Sequence, residues 1–157
     1  MVKPRKKRNV LYPPWMHYFK PHGHRPFEPG DEVILTIDEY ESIRLADHEN
    51  MKQEEASKKM NISRPTFTRL VSGARKKIAD AMVNGKTIKI EGGSYVFLRN
   101  RLVCMSCGNI WDIGGRKKVE YSCPACNSHN IDDIGRRFGR GRPRGRGHGR
   151  NPGMPGR

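Results

Sequence analysis

The sequence predicts an α + small β protein built in three parts. A three-helix helix-turn-helix domain comes first, a small β module clamped by cysteines second, and a disordered basic tail last. Three observations carry this prediction. Apolar residues recur three or four apart from Ile37 to Ala81, the period of helices that bury one face. The period then drops to two at Ile88 and Ile90, as in a strand. All four cysteines fall in two C-x-x-C pairs, Cys104 with Cys107 and Cys123 with Cys126, separated by fifteen residues.

Composition sets the boundaries. Residues 1–31 are a basic arm and a Pro/aromatic-rich loop, 32–93 the helix-turn-helix domain, 94–134 the cysteine module and 135–157 a Gly/Arg-rich tail. The 157 residues carry 31 Lys and Arg against 16 Asp and Glu, a formal net charge of +15. Five basic residues and no acid lie in 1–9, and eight Arg and no acid in 136–157. Between them eighteen basic residues meet sixteen acidic ones, so a near-neutral body carries two cationic arms. Such arms draw polyanions, because each neutralised phosphate releases condensed counterions. Apolar residues make up 34% of the chain, too few for one large core. No run of eighteen apolar residues and no secretory core follows the basic head. The expectation is a cytoplasmic, nucleoid-associated protein with no membrane partner.

Residues 10–31 hold five prolines and two glycines, and predict no regular element. Trp15, Tyr18 and Phe19 are expected to pack on the body, the alternative being that they stack on bases. A helix follows over about 37–47, started by Thr36 with Glu39 three residues later as a capping box. Its acidic residues Asp38, Glu39 and Glu41 must then face away from any nucleic acid. A second helix spans about 52–60, with Asn50 as the best cap and Glu54 and Glu55 suited to its positive end.

Only "NIS" separates it from the third helix, which is the short turn of a helix-turn-helix. Ala56 and Met60 point inward, and Ser57 is small where the helices cross. Asn61 tolerates a left-handed turn, Ile62 plugs it and Ser63 caps the next helix. That helix buries Phe67, Leu70, Val71, Ala74, Ile78 and either Ala81 or Met82. Pro65 is its second residue, where the missing N–H has no partner to lose. The opposite face carries Pro65, Arg69, Ser72 and Lys76, flanked by Thr66 and Thr68. Double-stranded DNA is the partner these residues suit, since a recognition helix puts its first turns on base edges in the major groove. The candidate contacts are Ser63, Arg64, Thr66, Thr68, Arg69, Ser72, Arg75 and Lys76. Arg69 leads, as its two-pronged donor set matches guanine. Arg75, Lys76 and Lys77 lie further along and suit the phosphate backbone. The alternatives are solvated charges on an amphipathic helix, or a protein-docking face.

The run from Leu35 to Gly93, with "PRKKR" at Pro4–Arg8 and "YFKP" at Tyr18–Pro21, resembles a known group. It is similar to an uncharacterised prokaryotic family of predicted DNA-binding proteins with a sigma-factor region-four-like helix-turn-helix. The likeness covers residues 4–93 or so. It implies a three-helix DNA-binding domain whose recognition helix maps onto Arg64–Asn84, and it implies no substrate, because the family has no established activity.

Past Gly85, a strand at Ile88–Ile90 is expected to turn at Gly92-Gly93 into a second strand, Tyr95–Leu98. The cysteine pairs then suit four thiolates on one tetrahedral ion: zinc in a structural role, or iron with the same ligand count. Gly108 and Asn127 follow the pairs, where left-handed turns aim backbone N–H groups at sulfur. Ile110 and Trp111 against Val119 and Tyr121 would form a hairpin with Arg116, Lys117 and Lys118 at its tip. The whole resembles a zinc ribbon. Two disulfides are the competing reading, disfavoured in a reducing cytoplasm. His129 is expected to be a surface residue rather than a ligand.

The tail reads in two ways. Arg140-Gly141-Arg142-Pro143, continued by Arg144, resembles the minor-groove-binding core of an AT-hook. A generic Gly/Arg arm would bind RNA or any phosphate chain. No phosphate loop, nucleophile elbow, H-E-x-x-H or open metal site is present, so no enzyme is expected. The leading expectation is a sequence-specific regulator on double-stranded DNA. An RNA-binding or ribonucleoprotein-associated factor, or an adaptor on RNA polymerase, is the alternative.

Overall fold

A computed structural model describes residues 6–23, 31–113 and 122–138. Within them the fold is mixed α/β, with four α-helices and three small sheets. In chain order come β1 (Arg8–Val10), β2 (Tyr18–Phe19), β3 (Glu32–Leu35), α1 (Ile37–Ile43), α2 (Gln53–Lys59) and α3 (Arg64–Asn84). β4 (Thr87–Ile90), β5 (Tyr95–Phe97), β6 (Asn100–Cys104), β7 (Ile110–Ile113), β8 (Ile131–Asp133) and α4 (Ile134–Arg137) follow.

The expected helices form where their end signals stand. At α1 the Glu39 N–H donates to Thr36 Oγ1 at 3.4 Å and the Thr36 N–H to Glu39 Oε2 at 2.9 Å. A π-helical turn, Arg44–His48, continues α1 to the expected end. Asn50 is not the cap of α2. It takes φ 54 in the connection, and Lys52 begins the helix with no side-chain cap. α3 starts at the Ser63 cap and stops at Gly85, whose φ of 63 closes the helix without a Cβ penalty.

The strands are paired otherwise than expected. β3 had no signal in the sequence, yet it lies parallel to β4, Glu32 opposite Thr87 and Leu35 opposite Ile90. A parallel pair needs a long crossover, and here α1 to α3 supply it. Tyr95–Phe97 does not fold back on β4. Gly92 and Gly93, with φ of 73 and 96, carry the chain away, and β5 pairs in parallel with β1. The proline-rich segment is therefore not bare loop: its Tyr18–Phe19 pairs antiparallel with β4, and the preceding Arg8–Val10 with β5. Trp15, Tyr18 and Phe19 do not pack away. They are 38%, 43% and 54% exposed.

Two adjoining apolar clusters hold the body. One gathers Val10, Leu35, Ile37, Ala74, Ile90 and Tyr95, and the other Leu45, Ala56, Met60, Phe67 and Val71. Of the two residues offered for the end of α3, Ala81 is buried and Met82 exposed. The acidic side of α1 is not a solvated face. Asp38 and Glu41 are buried, paired with Arg8 and Arg44, while Glu39 holds Lys77. A Cβ on Gly93 would lie 2.3 Å from Asp38 Oδ1, so the chain passes this carboxylate only as glycine.

Candidate nucleic-acid interface and metal centre

The turn between α2 and α3 is fixed from both sides. Ala56, Ser57 and Met60 are buried on α2, and Phe67 and Val71 on α3. Asn61 takes φ 55, and Ile62 packs on the cluster beneath. The Ile62 N–H donates to Ser57 O at 3.1 Å, and the Asn61 N–H to Lys58 O at 3.0 Å. Ser63 Oγ accepts the Thr66 N–H at 3.4 Å and lies 2.8 Å from Thr66 Oγ1.

The buried stripe of α3 turns the opposite face outward. Ser63, Arg64, Pro65, Thr68, Arg69, Ser72, Arg75 and Lys76 are all exposed, and Thr66 half-buried. They do not stand alike. Arg69 and Lys76 make no hydrogen bond or ion pair with any described residue. Thr68 Oγ1 lies 2.6 Å from Gln53 Oε1 and 3.0 Å from Arg64 O. Arg75 is forked onto Asp47 at 3.1 and 2.7 Å, and Lys77 lies on Glu39 at 2.7 Å. On this face the guanidinium groups of Arg64 and Arg69 are uncommitted among the described residues, Arg64 at the first residue of the helix and Arg69 about one and a half turns in.

The four cysteine sulfurs converge. All lie within 4.8 Å of one another, with Cys104 and Cys126 Sγ 3.6 Å apart and Cys107 and Cys123 Sγ 3.6 Å apart. A disulfide needs about 2.05 Å, so these are thiols. Four sulfurs about 2.3 Å from one central ion would stand about 3.8 Å apart, close to what is seen. The cluster could hold a metal ion.

The two pairs are built as copies. The Cys104 N–H donates to Asn109 O at 2.8 Å and the Cys123 N–H to Ser128 O at 2.9 Å. Gly108 at φ 74 and Asn127 at φ 59 make the expected left-handed turns, donating to Cys104 O and Cys123 O at 2.9 Å each. Burial raises the Cys104 thiol, but N–H groups of Cys107 and Ser106 outweigh it and bring it down to about 6. At Cys126 the Ser128 N–H works downward, yet contacts with Cys107 and the other sulfurs push the thiol up to about 12. Four adjacent sulfurs cannot all ionise unless a cation sits among them. A soft divalent ion supplies that charge, so the donor set fits one.

β6 ends at Cys104, the first cysteine of the first pair, and lies between β7 and β8. Strand β7 includes Ile110 and Trp111 as expected, and on one edge it pairs with β6, with Leu102 opposite Trp111. Val119, Tyr121 and the basic tip at Arg116, Lys117 and Lys118 lie outside the described residues, as do Arg140, Gly141, Arg142, Pro143 and Arg144. His129 is exposed and does not belong to the sulfur cluster.

Sequence reasoning missed two basic features. Lys6 Nζ reaches Asn61 Oδ1 at 3.1 Å, bringing the head against the α2–α3 turn. Arg101, on β6, lies 3.9 Å from the centre of the Tyr12 ring and 5.4 Å from that of Trp15. Fifty-five and roughly ninety residues of separation leave no local pattern to find either. Among the described residues no helix is long and apolar enough to cross a membrane.

A family profile described as "Protein of unknown function DUF134" matches residues 1–98. It ends before Cys104. Similarity to whole relatives runs further. A "UPF0251 protein" of Caldicellulosiruptor saccharolyticus is 44% identical over 150 residues, covering 96% of this chain and 99% of the relative. One of Moorella thermoacetica is 42% identical over 144 residues, 90% of this chain and 92% of the relative. One of Methanothermobacter thermautotrophicus is 41% identical over 162 residues, 99% and 81%. An alignment over 96% of the chain spans the whole cysteine segment, which therefore has a counterpart outside this chain. No solved structure matches.

Proposed function

We propose that this chain, which belongs to the DUF134 family, is a sequence-specific double-stranded-DNA-binding protein that regulates transcription. One observation carries the reading. α2 and the Ser63-capped α3 are joined by the short left-handed turn at Asn61, an arrangement we read as a helix-turn-helix, and the outward face of α3 presents Arg69 with no partner among the described residues. In that arrangement the first turns of α3 enter the major groove. Arg69 reads a base edge, and Arg64, Thr66, Ser72 and Lys76 hold neighbouring bases or phosphates. Asp47 must release Arg75 before it can join them. The cysteine module is a zinc ribbon. Its four protein ligands leave no open position for a catalytic water, so the ion is structural. The family description assigns no function, and the reading rests on this geometry and on the charge of the arms.

Selection from a random duplex pool, with the full chain and with residues 136–157 removed, tests it. An enriched motif that survives removal of the tail is the expected result. A pool that shows no enrichment with either protein overturns the reading.

A second reading has its own support. Trp15, Tyr18 and Phe19 are exposed, and Lys20 and Lys89 lie 5.7 Å from the Tyr18 ring. Exposed aromatics among cations are a platform on which unpaired bases stack. Competition between structured RNA and duplex DNA separates this reading from the first.

A further inference from the structure

We propose that the cleft between the N-terminal strand and the α2–α3 turn takes a phosphate of the DNA backbone. Residues 6–8 would then be part of the interface rather than a loose arm. The inference rests on the DNA reading above and names a second point of contact.

The cleft has a volume of about 610 Å3 and is lined by Lys6, Arg8, Lys58, Asn61, Ser63 and Thr66, with Ile62 at the turn. Three of these are cations and none is a carboxylate. The cations are differently engaged. Arg8 is committed to the buried Asp38, so it builds the wall. Lys6 gives its ammonium to a neutral acceptor, Asn61 Oδ1, and pairs with no carboxylate among the described residues. Lys58 faces Glu54 at 3.3 Å, with side chains 74% and 60% exposed. A surface pair of that kind holds little, so Lys58 can turn to a stronger anion.

The helix start itself offers little to an anion. The Thr66 N–H is already taken by Ser63 Oγ, and Pro65 has no N–H. Lysine side chains must therefore do the gripping, and the strand places one of them. The Arg8 N–H donates to Ser94 O and the Asn9 N–H to Met60 O, each at 3.0 Å. These bonds fix β1 beside the turn and hold Lys6 two residues ahead of it. The cleft thus opens at the end of α3 that a recognition helix presents to the groove. A phosphate chain running past that end meets two lysines and no carboxylate in the lining, Glu54 standing behind Lys58.

The test uses the full chain with Lys6→Gln and Lys58→Gln combined. Both side chains are exposed, so an unchanged melting temperature shows that the fold is kept. Binding to a selected duplex is measured across salt concentrations. The double variant should bind every duplex about tenfold more weakly. Its slope of log K against log salt should become shallower by about one to two, with base preference unchanged. Wild-type affinity and slope in the double variant overturn the cleft and leave the DNA reading standing. No duplex binding by the wild-type chain overturns both. The cleft would instead belong to a free phosphate compound if pyrophosphate raised the melting temperature of the wild type and not the variant, with duplex binding unaffected by the substitutions. That result also overturns the proposal.

Discussion

Between Leu35 and Ile90, ten hydrophobic side chains are buried: two clusters filled by three helices and a sheet. Between Asn100 and Phe138 the buried set among the described residues is Leu102, Ile134 and two of the four cysteines. The first region can be held by apolar burial, at roughly 25 cal/mol per Å2 removed from water. Among its described residues the second has little of this, two buried aliphatic side chains against the entropy of ordering the segment. It has sulfur where the first has leucine and phenylalanine. The difference teaches that one chain can carry two parts whose stabilities answer to different conditions: packing for the helical body and, on the proposed reading, a metal ion for the cysteine module.

The largest expected effect separates the two parts. Cys104→Ser with Cys107→Ser, or a strong chelator, should remove the ion, a loss of about 10–16 kcal/mol of apparent folding free energy in small zinc domains. Metal content and near-ultraviolet signals of Trp111 should collapse while far-ultraviolet helicity persists. Loss of both together would show that the body leans on the module. Acid acts in the same direction, because protons compete for thiolate sulfur and metal affinity falls as pH falls.

Phe67→Ala should do the reverse. Emptying the centre of the α2–α3 cluster costs about 3–5 kcal/mol and should lower the main thermal transition while metal stoichiometry stays put. Arg8→Ala should approach the same size, about 3–5 kcal/mol in denaturant melts, because Asp38 is buried and its Oδ1 already lacks a partner among the described residues. This prediction also tests whether a residue of the basic head serves the body first.

Smaller effects sharpen the outward face. Arg69→Ala should cost about 1–3 kcal/mol of binding to a selected duplex and relax one base position, with the melting temperature unchanged. An equal loss on every sequence would make Arg69 a phosphate contact. Ser63→Ala should cost about 1 kcal/mol of stability by removing the cap of α3, read as a lower midpoint in urea.

Much of both regions was legible because their signals are short-range. A capping box at Thr36 and Glu39, a left-handed Asn61, a cap at Ser63 and a closing Gly85 each act within four residues. The same holds for two C-x-x-C pairs with Gly108 and Asn127 behind them. What escaped was long-range. Strands of two to four residues carry too little pattern to choose a partner, so β1, β2 and β3 were unreadable alone. The Gly92-Gly93 turn suggested a hairpin because local chemistry could not show that β1 offered β5 a better neighbour. Trp15, Tyr18 and Phe19 looked like core from their type, and are exposed where two-residue β2 lies along β4.

The sequence by itself determined the ends of α1 and α3, the apolar stripe of α3 and which four sulfurs meet. Those choices are settled by backbone caps, side-chain period and ligand spacing within a few residues. Tertiary structure alone decided that Asp38 and Glu41 lie inside, that Arg75 is tied to Asp47 and that Lys6 stands beside Asn61. The reason lies in electrostatics. A carboxylate can be buried only where a cation meets it. For Asp38 that cation is Arg8, thirty residues away, set in place by strand pairing that no local stretch of the chain encodes.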